Sequence, residues 1–435
     1  MRILLLNQFY YPDIAATAQL CTDWAEDLTR LGHDVTVLCG SGRYRQPHLG
    51  RMAEPTRTLP LDEVHHGVRI VRVPVEDAPP PVSALPTRIE QLGRLVGRLS
   101  RYGQFVARAL LRLRGLPRPD VVVALTTPPL IGVIGLWARR MFAARLVLWV
   151  QDVYPDLLDA MGLLRAGSPG YRGLELLTRQ LYRSADRIIA LDEAMADRLL
   201  TTGARSSQLA VIDHFADSRE ITLRPKLPSA LRAELGLHDE FVVCYAGNHG
   251  RGHDFDTIVQ ALEVQAQADL TVPPLHWLFV GDGDEKARLW ARIPSKMQPY
   301  VHALPPQARS KLGEVLAAGD VGLISVKAEM QGLLAPSKLY GLLAAGRPLA
   351  YIGPDRGRIP ALLRQHDLGV AVRNGDGSGL FAGLVAIQQD PARWQRMSQL
   401  ARQLAETRFD RPLAMAAHAR VLESVLREGP CERSG

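Results

Sequence analysis

The sequence predicts an α/β protein built from two doubly wound domains, each a parallel sheet covered on both faces, with a cleft between them. Three observations lead there. Apolar runs of strand length alternate with helical stretches from the first residues onward. That rhythm breaks once, over the polar stretch His214 to Pro228, and then restarts. The chain, at 435 residues, has about three times the ~150 residues of a typical domain, enough for two hydrophobic cores.

Taken in order, Arg2 to Leu6 reads as a short buried strand, Asn7 to Asp13 as a loop, and Ile14 to Leu31 as a helix. Gly32 stops that helix and Val35 to Leu38 begins the next strand, completing a β-α-β unit. Further strands are expected at Val68 to Val73, Asp120 to Leu125, Leu146 to Val150, Arg187 to Leu191 and Leu209 to Ile212. Runs of this kind belong to strands buried on both faces. After the break, which ends Arg224-Pro225-Lys226-Leu227-Pro228, Phe241 to Ala246 reads as a strand opening onto Gly247-Asn248-His249-Gly250-Arg251-Gly252. A helix from near Asp256 follows, then strands at Leu275 to Val280, Val321 to Val326 and Pro348 to Ile352. The domains are placed at 1–214 and 215–411. The only low-complexity tract is Pro79-Pro80-Pro81.

Composition removes several function classes. No apolar run reaches the ~18 residues of a spanning helix, and the few apolar residues after Arg2 are too short a core for a signal peptide. A cytoplasmic chain is expected. Cys21, Cys39, Cys244 and Cys431 share no metal or disulfide spacing and read as plain thiols. The net charge of +7 is local: between Pro86 and Pro119 stand eight arginines and the single acid Glu90, so the rest of the chain nets to zero. In that stretch Ile89, Leu92, Leu95, Val96, Leu99, Val106, Leu110 and Leu113 fall on one helical face, and Arg94, Arg98, Arg101, Arg108 and Arg112 form a separate stripe. Two readings stand, a helix packed on its own domain with a solvated basic face, and a peripheral contact of residues 88–113 with an anionic membrane. Nucleic acid is not expected, because no aromatic stacking set interleaves the arginines.

The first β-α turn, Asn7-Gln8-Phe9-Tyr10-Tyr11-Pro12-Asp13, lacks the G-x-G-x-x-G of a nicotinamide site, and the second strand ends Cys39-Gly40-Ser41 with no ribose-binding acid. In the second half, Gly247, Gly250 and Gly252 allow close backbone approach beside Arg251, as in a diphosphate cradle or an ordinary strand-to-helix turn. Ala335-Pro336-Ser337-Lys338-Leu339-Tyr340 opens a helix with serine at the N-cap and a lysine at the same end, which suits a phosphate or simply caps the helix. Gly281-Asp282-Gly283-Asp284 has the look of a metal-holding D-x-D, but turn and cap roles explain it better, and no metal is expected. Trp149 to Asp156 follows a strand and carries Asp152 and Asp156 beside aromatics, able to act on a sugar hydroxyl or to cap the next helix. Thr126 and Thr127 follow another strand and line the same presumed cleft.

With these residues assembled, the chain resembles glycosyltransferase family 4, retaining enzymes of the GT-B fold. It looks nearest the branch that builds O-antigen, colanic acid and exopolysaccharides. The resemblance runs through Met1 to Asp13, Leu31 to Leu38, Gln151 to Asp156, Ser184 to Leu191, Tyr245 to Arg251, Phe279 to Asp284, Pro336 to Tyr340 and Ala344 to Pro348. It implies a donor domain second in the chain and an acceptor domain first, with a C-terminal helix, 412–428, crossing back onto the first. Arg251 and Lys338 would neutralise the leaving diphosphate without a metal or other cofactor, and Gly247, Asn248, Gly250, Gly283 and Ser337 would shape its pocket. Asp152 would contact the acceptor or the reacting sugar, with Asp156, Thr127 and Asp13 on the acceptor side. The expected partners are a nucleotide sugar, a lipid-linked or oligosaccharide acceptor, and the cytoplasmic face of the inner membrane. The chain departs from the family's pair of glutamates, having Leu333 and Gly341 at their positions. Glu329 is the candidate replacement for the first. That departure keeps open a nucleotide-sugar epimerase or hydrolase and a catalytically silent sugar-binding protein.

Overall fold

Runs rich in valine, isoleucine and leucine pair laterally into two parallel sheets, because strands buried on both faces gain most from apolar side chains that tolerate the pleat. The computed structural model describes residues 1–13, 15–41, 59–75, 88–222, 230–268 and 272–427. Pro79 to Pro81, the Arg224 to Pro228 end of the break and Cys431 lie outside the described residues, as do the side chains of 88–96, 98 and 99.

The first sheet contains β1 (Arg2–Leu6), β2 (Asp34–Gly40), β3 (Asp62–His65), β4 (Val68–Val73), β5 (Val121–Ala124), β6 (Arg145–Trp149), β7 (Arg187–Ala190) and β8 (Leu209–Val211). Its order is β3-β4-β2-β1-β5-β6-β7-β8, parallel throughout except that β3 runs antiparallel to β4. The second sheet contains β9 (Phe241–Ala246), β10 (Leu275–Val280), β11 (Val301–Leu304), β12 (Val321–Ser325), β13 (Leu349–Ile352) and β14 (Gly369–Val372). Its order is β11-β10-β9-β12-β13-β14, all parallel. Three strands were not anticipated from the sequence, β3, β11 and β14, and each is an edge strand. A half-exposed edge needs no continuous apolar run, so the signal that marks the central strands is missing there.

The chain crosses between the sheets twice, and the crossings lie side by side. Ala216 and Asp410 form a parallel bridge, and the Ser218 N–H donates to the Asp410 carboxylate at 2.9 Å. Beyond the second crossing, helix Arg411–Arg427 returns to pack on helix Ala16–Arg30 and on β6. Arg411 fixes it there, its guanidinium 2.6 Å from Asp27 and 3.2 Å from Asp23. The His418 ring then sits 4.5 Å from Trp149, whose indole packs on Trp24.

Helix Arg88–Leu113 packs on the first sheet through Phe105, Ala109 and Leu113, all buried. Arg108 donates to the Pro74 carbonyl and Arg112 pairs with Asp62, so two members of the basic stripe are tied to the sheet edge. Leu111, on the far side, is 68% exposed. Among the described residues, no helix is long and apolar enough to cross a membrane.

Candidate active site

In each sheet the strand order reverses beside the first strand, and a reversal leaves a crevice at the carboxyl ends of the two strands that flank it. In the first sheet those strands are β1 and β5, and their loops are joined by the Gln8 N–H donating to the Thr127 carbonyl at 2.9 Å. In the second they are β9 and β12, joined by the Lys327 N–H donating to the Gly252 carbonyl at 3.0 Å. The candidate residues from both halves of the sequence therefore lie on loops at or next to a switch point.

The glycine turn after β9 is zipped to the loop after β10. Gly247 N–H donates to Val280 O at 2.9 Å, His249 N–H to Asp282 O at 2.8 Å, and Glu285 N–H to His249 O at 2.9 Å. Glycine is required for this approach. A Cβ on Gly283, whose φ is +157°, would stand 2.5 Å from the His249 carbonyl oxygen, and one on Gly247, at φ +137°, would stand 2.8 Å from Lys338 Cε. Gly250 approaches the Asn248 amide in the same way. Asp282 accepts from the Gly283 N–H at 2.8 Å and Asp284 pairs with Arg251, which gives the D-x-D its turn and lip roles.

Lys338 lies across this turn. Its Nζ is 4.8 Å from the centre of the Tyr245 ring and 3.3 Å from His253 Nε2, and no carboxylate pairs with it among the described residues. Burial without a counter-ion holds its pKa down at about 8. Ser337 stands at the N-cap, but its hydroxyl makes no capping bond and helix Lys338–Ala344 is only seven residues long. Attraction for an anion therefore rests on the full charge of Lys338 more than on the helix dipole. Arg251, expected next to it, is 47% exposed at the lip, with its guanidinium turned 3.6 Å from Asp284.

Across the cleft, Thr126 Oγ1 accepts from the backbone N–H groups of Gln151 and Asp152, both at 3.2 Å, and so ties the loops after β5 and β6 together. Asp152 forms an antiparallel bridge with Leu334 of the other domain, and the Val153 N–H donates to Leu333 O at 2.9 Å. Burial raises the Asp152 carboxyl to about 6. The loop that carries Lys338 is thus joined by backbone bonds to the loop that carries Asp152.

Other candidates are placed differently. Asp156, expected on the acceptor side, is buried and has both carboxylate oxygens engaged, one by the Tyr171 hydroxyl and both by Arg198, at 2.9 and 3.0 Å. An ion pair of that kind can serve as a structural post between the helices that carry Tyr171 and Arg198. Asp13 accepts from the Ala15 N–H at 2.8 Å, in the turn just ahead of the first helix. Glu329 is exposed on the turn Ala328–Met330 that follows β12. Leu333, at the first glutamate position, has its carbonyl in the inter-domain bridge, and a side chain on Gly341 would emerge 3.2 Å from Leu316 Cδ1. Neither position opens onto an obvious polar partner. His253 and Tyr245 were missed in the sequence because nothing in their spacing distinguishes them from core and turn residues.

Among the described residues, three metal-ligating side chains converge at Glu26, His65 and His66. Glu26 is already held there by Arg30 at 3.0 Å and by His66 Nδ1 at 3.0 Å. The two imidazoles stack at 4.1 Å with an interplanar angle of 19°, so their in-plane lone pairs do not meet at one point. This cluster reads as a polar contact between a helix and a hairpin.

A family model described as a glycosyl transferase 4-like domain matches residues 17–213. Over 362 residues the chain is 25% identical to the putative colanic acid biosynthesis glycosyl transferase WcaI of Escherichia coli, covering 80% of this chain and 82% of that one. Sucrose-phosphate synthase from Thermosynechococcus elongatus superposes with a TM-score of 0.70 at 16% identity, covering 98% of this chain and 99% of that one. Anabaena HepE in complex with UDP-glucose superposes with a TM-score of 0.67 at 18% identity, covering 98% of this chain and 100% of that one. The two parallel-sheet domains are those of the GT-B fold.

Proposed function

We propose that this chain is a glycosyltransferase of family 4 that transfers a sugar, with retention of configuration, from a nucleotide-diphosphate sugar to a lipid-linked or oligosaccharide acceptor in bacterial cell-surface polysaccharide assembly. The observation that carries this reading is the part-buried Lys338 ammonium, set against the backbone of Gly247 with no carboxylate paired to it among the described residues. A cation held away from water without a counter-ion is costly, and a diphosphate supplies the missing charge. The glycine turn leaves room for phosphate oxygens to approach backbone N–H groups, and Arg251 at the lip can swing from its weak, exposed pair with Asp284 to the same anion. Fixed cations beside the departing diphosphate stabilise charge that grows only as the glycosidic bond breaks, which is the use of binding energy that speeds a reaction. No metal is needed for that task. Asp152, across the cleft, accepts a hydrogen bond from a sugar or acceptor hydroxyl. WcaI, by its name a colanic acid enzyme, supports the polysaccharide setting, and HepE with bound UDP-glucose supports the donor class.

Calorimetric titration with uridine, guanosine and adenosine diphosphates tests the donor site. Lys338→Met should weaken the tightest of them by about 100-fold, the scale of a buried charge-assisted contact, with the melting temperature unchanged or raised. Undiminished affinity in that variant overturns the diphosphate reading.

Membrane contact through 88–113 is part of the same proposal. It is supported by the concentration of the chain's excess charge there and by exposed Leu111. In co-sedimentation with phosphatidylglycerol vesicles, Leu111→Glu combined with Arg101→Glu should leave most of the protein in the supernatant. Equal pelleting of variant and wild type removes this helix from the contact.

A further inference from the structure

Lys338 has a neighbour that the reading above leaves without a role. His253 Nδ1 lies 2.6 Å from the carbonyl oxygen of Ser325 at the end of β12. A carbonyl can only accept, so Nδ1 carries the proton and Nε2 presents a lone pair. That lone pair is 3.3 Å from Lys338 Nζ, a group with protons only to give. The tautomer and the direction of both bonds follow from the partners alone. The Tyr245 ring on another side of the ammonium and the bare Cα of Gly247 complete the enclosure.

Each wall of this enclosure is neutral. An aspartate or glutamate at 253 would hold Lys338 equally well, but it would cancel the charge and repel an incoming anion. A neutral imidazole fixes the ammonium and leaves its charge intact. The groups facing His253 favour that neutral form. Burial is the main cause, and the Lys338, His249 and Lys327 nitrogens add to it and outweigh the Ser325 carbonyl, which favours the protonated ring, so the imidazole is held down at about 3; the Tyr245 and Phe255 rings that pack on it carry no charge.

We propose that His253 is a positioning residue for the donor's diphosphate: held by Ser325 as the Nδ1-protonated tautomer, it anchors the Lys338 ammonium over Gly247 and leaves the remaining N–H groups of that ammonium to the phosphates. This role rests on the diphosphate reading of the site and names how that site is kept in register.

The test is a series at one position, read by calorimetric titration with uridine, guanosine and adenosine diphosphates from pH 6 to pH 9. His253→Gln keeps an acceptor and should bind within about threefold of wild type. His253→Leu removes it and should bind about tenfold more weakly, the size of a hydrogen bond to a charged group. Its alkaline loss of binding should also begin at lower pH, because the ammonium no longer has an acceptor that favours its charged form. His253→Glu should be weakest, about 100-fold below wild type, since it neutralises Lys338. A leucine variant with wild-type affinity and an unmoved alkaline limb overturns the role, as does a glutamate variant no weaker than the leucine one. Should the variants fail to fold, nitrogen NMR of labelled histidine in the wild-type protein decides. The proton of His253 must be on Nδ1 at pH 6, and an Nε2–H tautomer or an imidazolium overturns the proposal. Wild-type protein that binds none of the three nucleotides overturns the donor reading together with this role.

Discussion

Burial lifts the Asp152 carboxyl to about 6 and lowers the Lys338 ammonium to about 8, so both groups are charged together only between those values. Transfer is expected to rise as pH increases through 6, when Asp152 ionises, and to fall above 8, when Lys338 loses its proton, giving a bell-shaped rate profile. Diphosphate binding favours the ammonium, so the alkaline limb should move upward at saturating donor. For stability the sign at Asp152 is unfavourable. Its folded value lies above the ordinary 3.8, so the folded state holds its proton more tightly, and ionisation destabilises the fold as pH rises through that window. Asp152→Asn should therefore stabilise the protein at pH 7 by as much as ~2 kcal/mol while lowering turnover by tenfold or more. Thermal melts at pH 4 and pH 7 check this, because the gain should nearly vanish at the lower pH. An asparagine variant as active as wild type removes Asp152 from the chemistry. Lys338 and Asp152 lie on loops that the backbone joins, while Asp156, four residues after Asp152 in the same motif, is committed to Arg198 and Tyr171. Residue type and spacing are the same for a free acid and a paired one. Only the partner, 42 residues along the chain, separates them.

The two loops after β9 and β10 behave as one element, since three backbone hydrogen bonds join them and glycines permit their approach. Gly283→Ala puts a methyl group 2.5 Å from the His249 carbonyl oxygen. It should cost about 2 kcal/mol or more of stability and weaken nucleotide binding by opening the cradle. Urea unfolding and titration on the same sample measure both, and a variant equal to wild type in each would show that the zipper is not needed. The central strands were legible because burial on both faces demands unbroken apolar runs. The edges β3, β11 and β14 were not, since Asp62 to His65 or Val301 to Leu304 carries no pattern that a loop would not also carry. The basic helix was legible as amphipathic, but its sequence does not reveal that Arg108 and Arg112 are spent on the sheet edge.

At the scale of the molecule, the two domains meet through backbone at the site itself. Asp152 and Val153 bond to Leu333 and Leu334, and Gly332, at φ +70°, rests against the Ala194 carbonyl, where a Cβ would stand 2.7 Å from oxygen. Behind them Arg358 spans Asp213 at 2.7 Å and Glu193 at 3.0 Å. Gly332→Ala should hinder this closure without touching the diphosphate cradle. The expected result is a lower kcat at unchanged nucleotide affinity, with a larger radius of gyration by small-angle scattering. Loss of nucleotide affinity in that variant would place the loop in donor binding instead.

The sequence by itself determined the two doubly wound layers, the switch-point loops and the concentration of charge, because hydrophobic periodicity, glycine spacing and net charge are local properties of a chain. Tertiary structure decided which of the charged residues are free to act. Among the described residues no carboxylate pairs with Lys338, because three neutral groups, Tyr245 on β9 and Gly247 and His253 in the segment after it, converge on it. The paired-glutamate positions instead serve packing and docking, with Leu333 in the bridge and Gly341 against Leu316. Whether a charge is paired, buried or open depends on residues far apart in the chain and close in space, and folding alone brings those together.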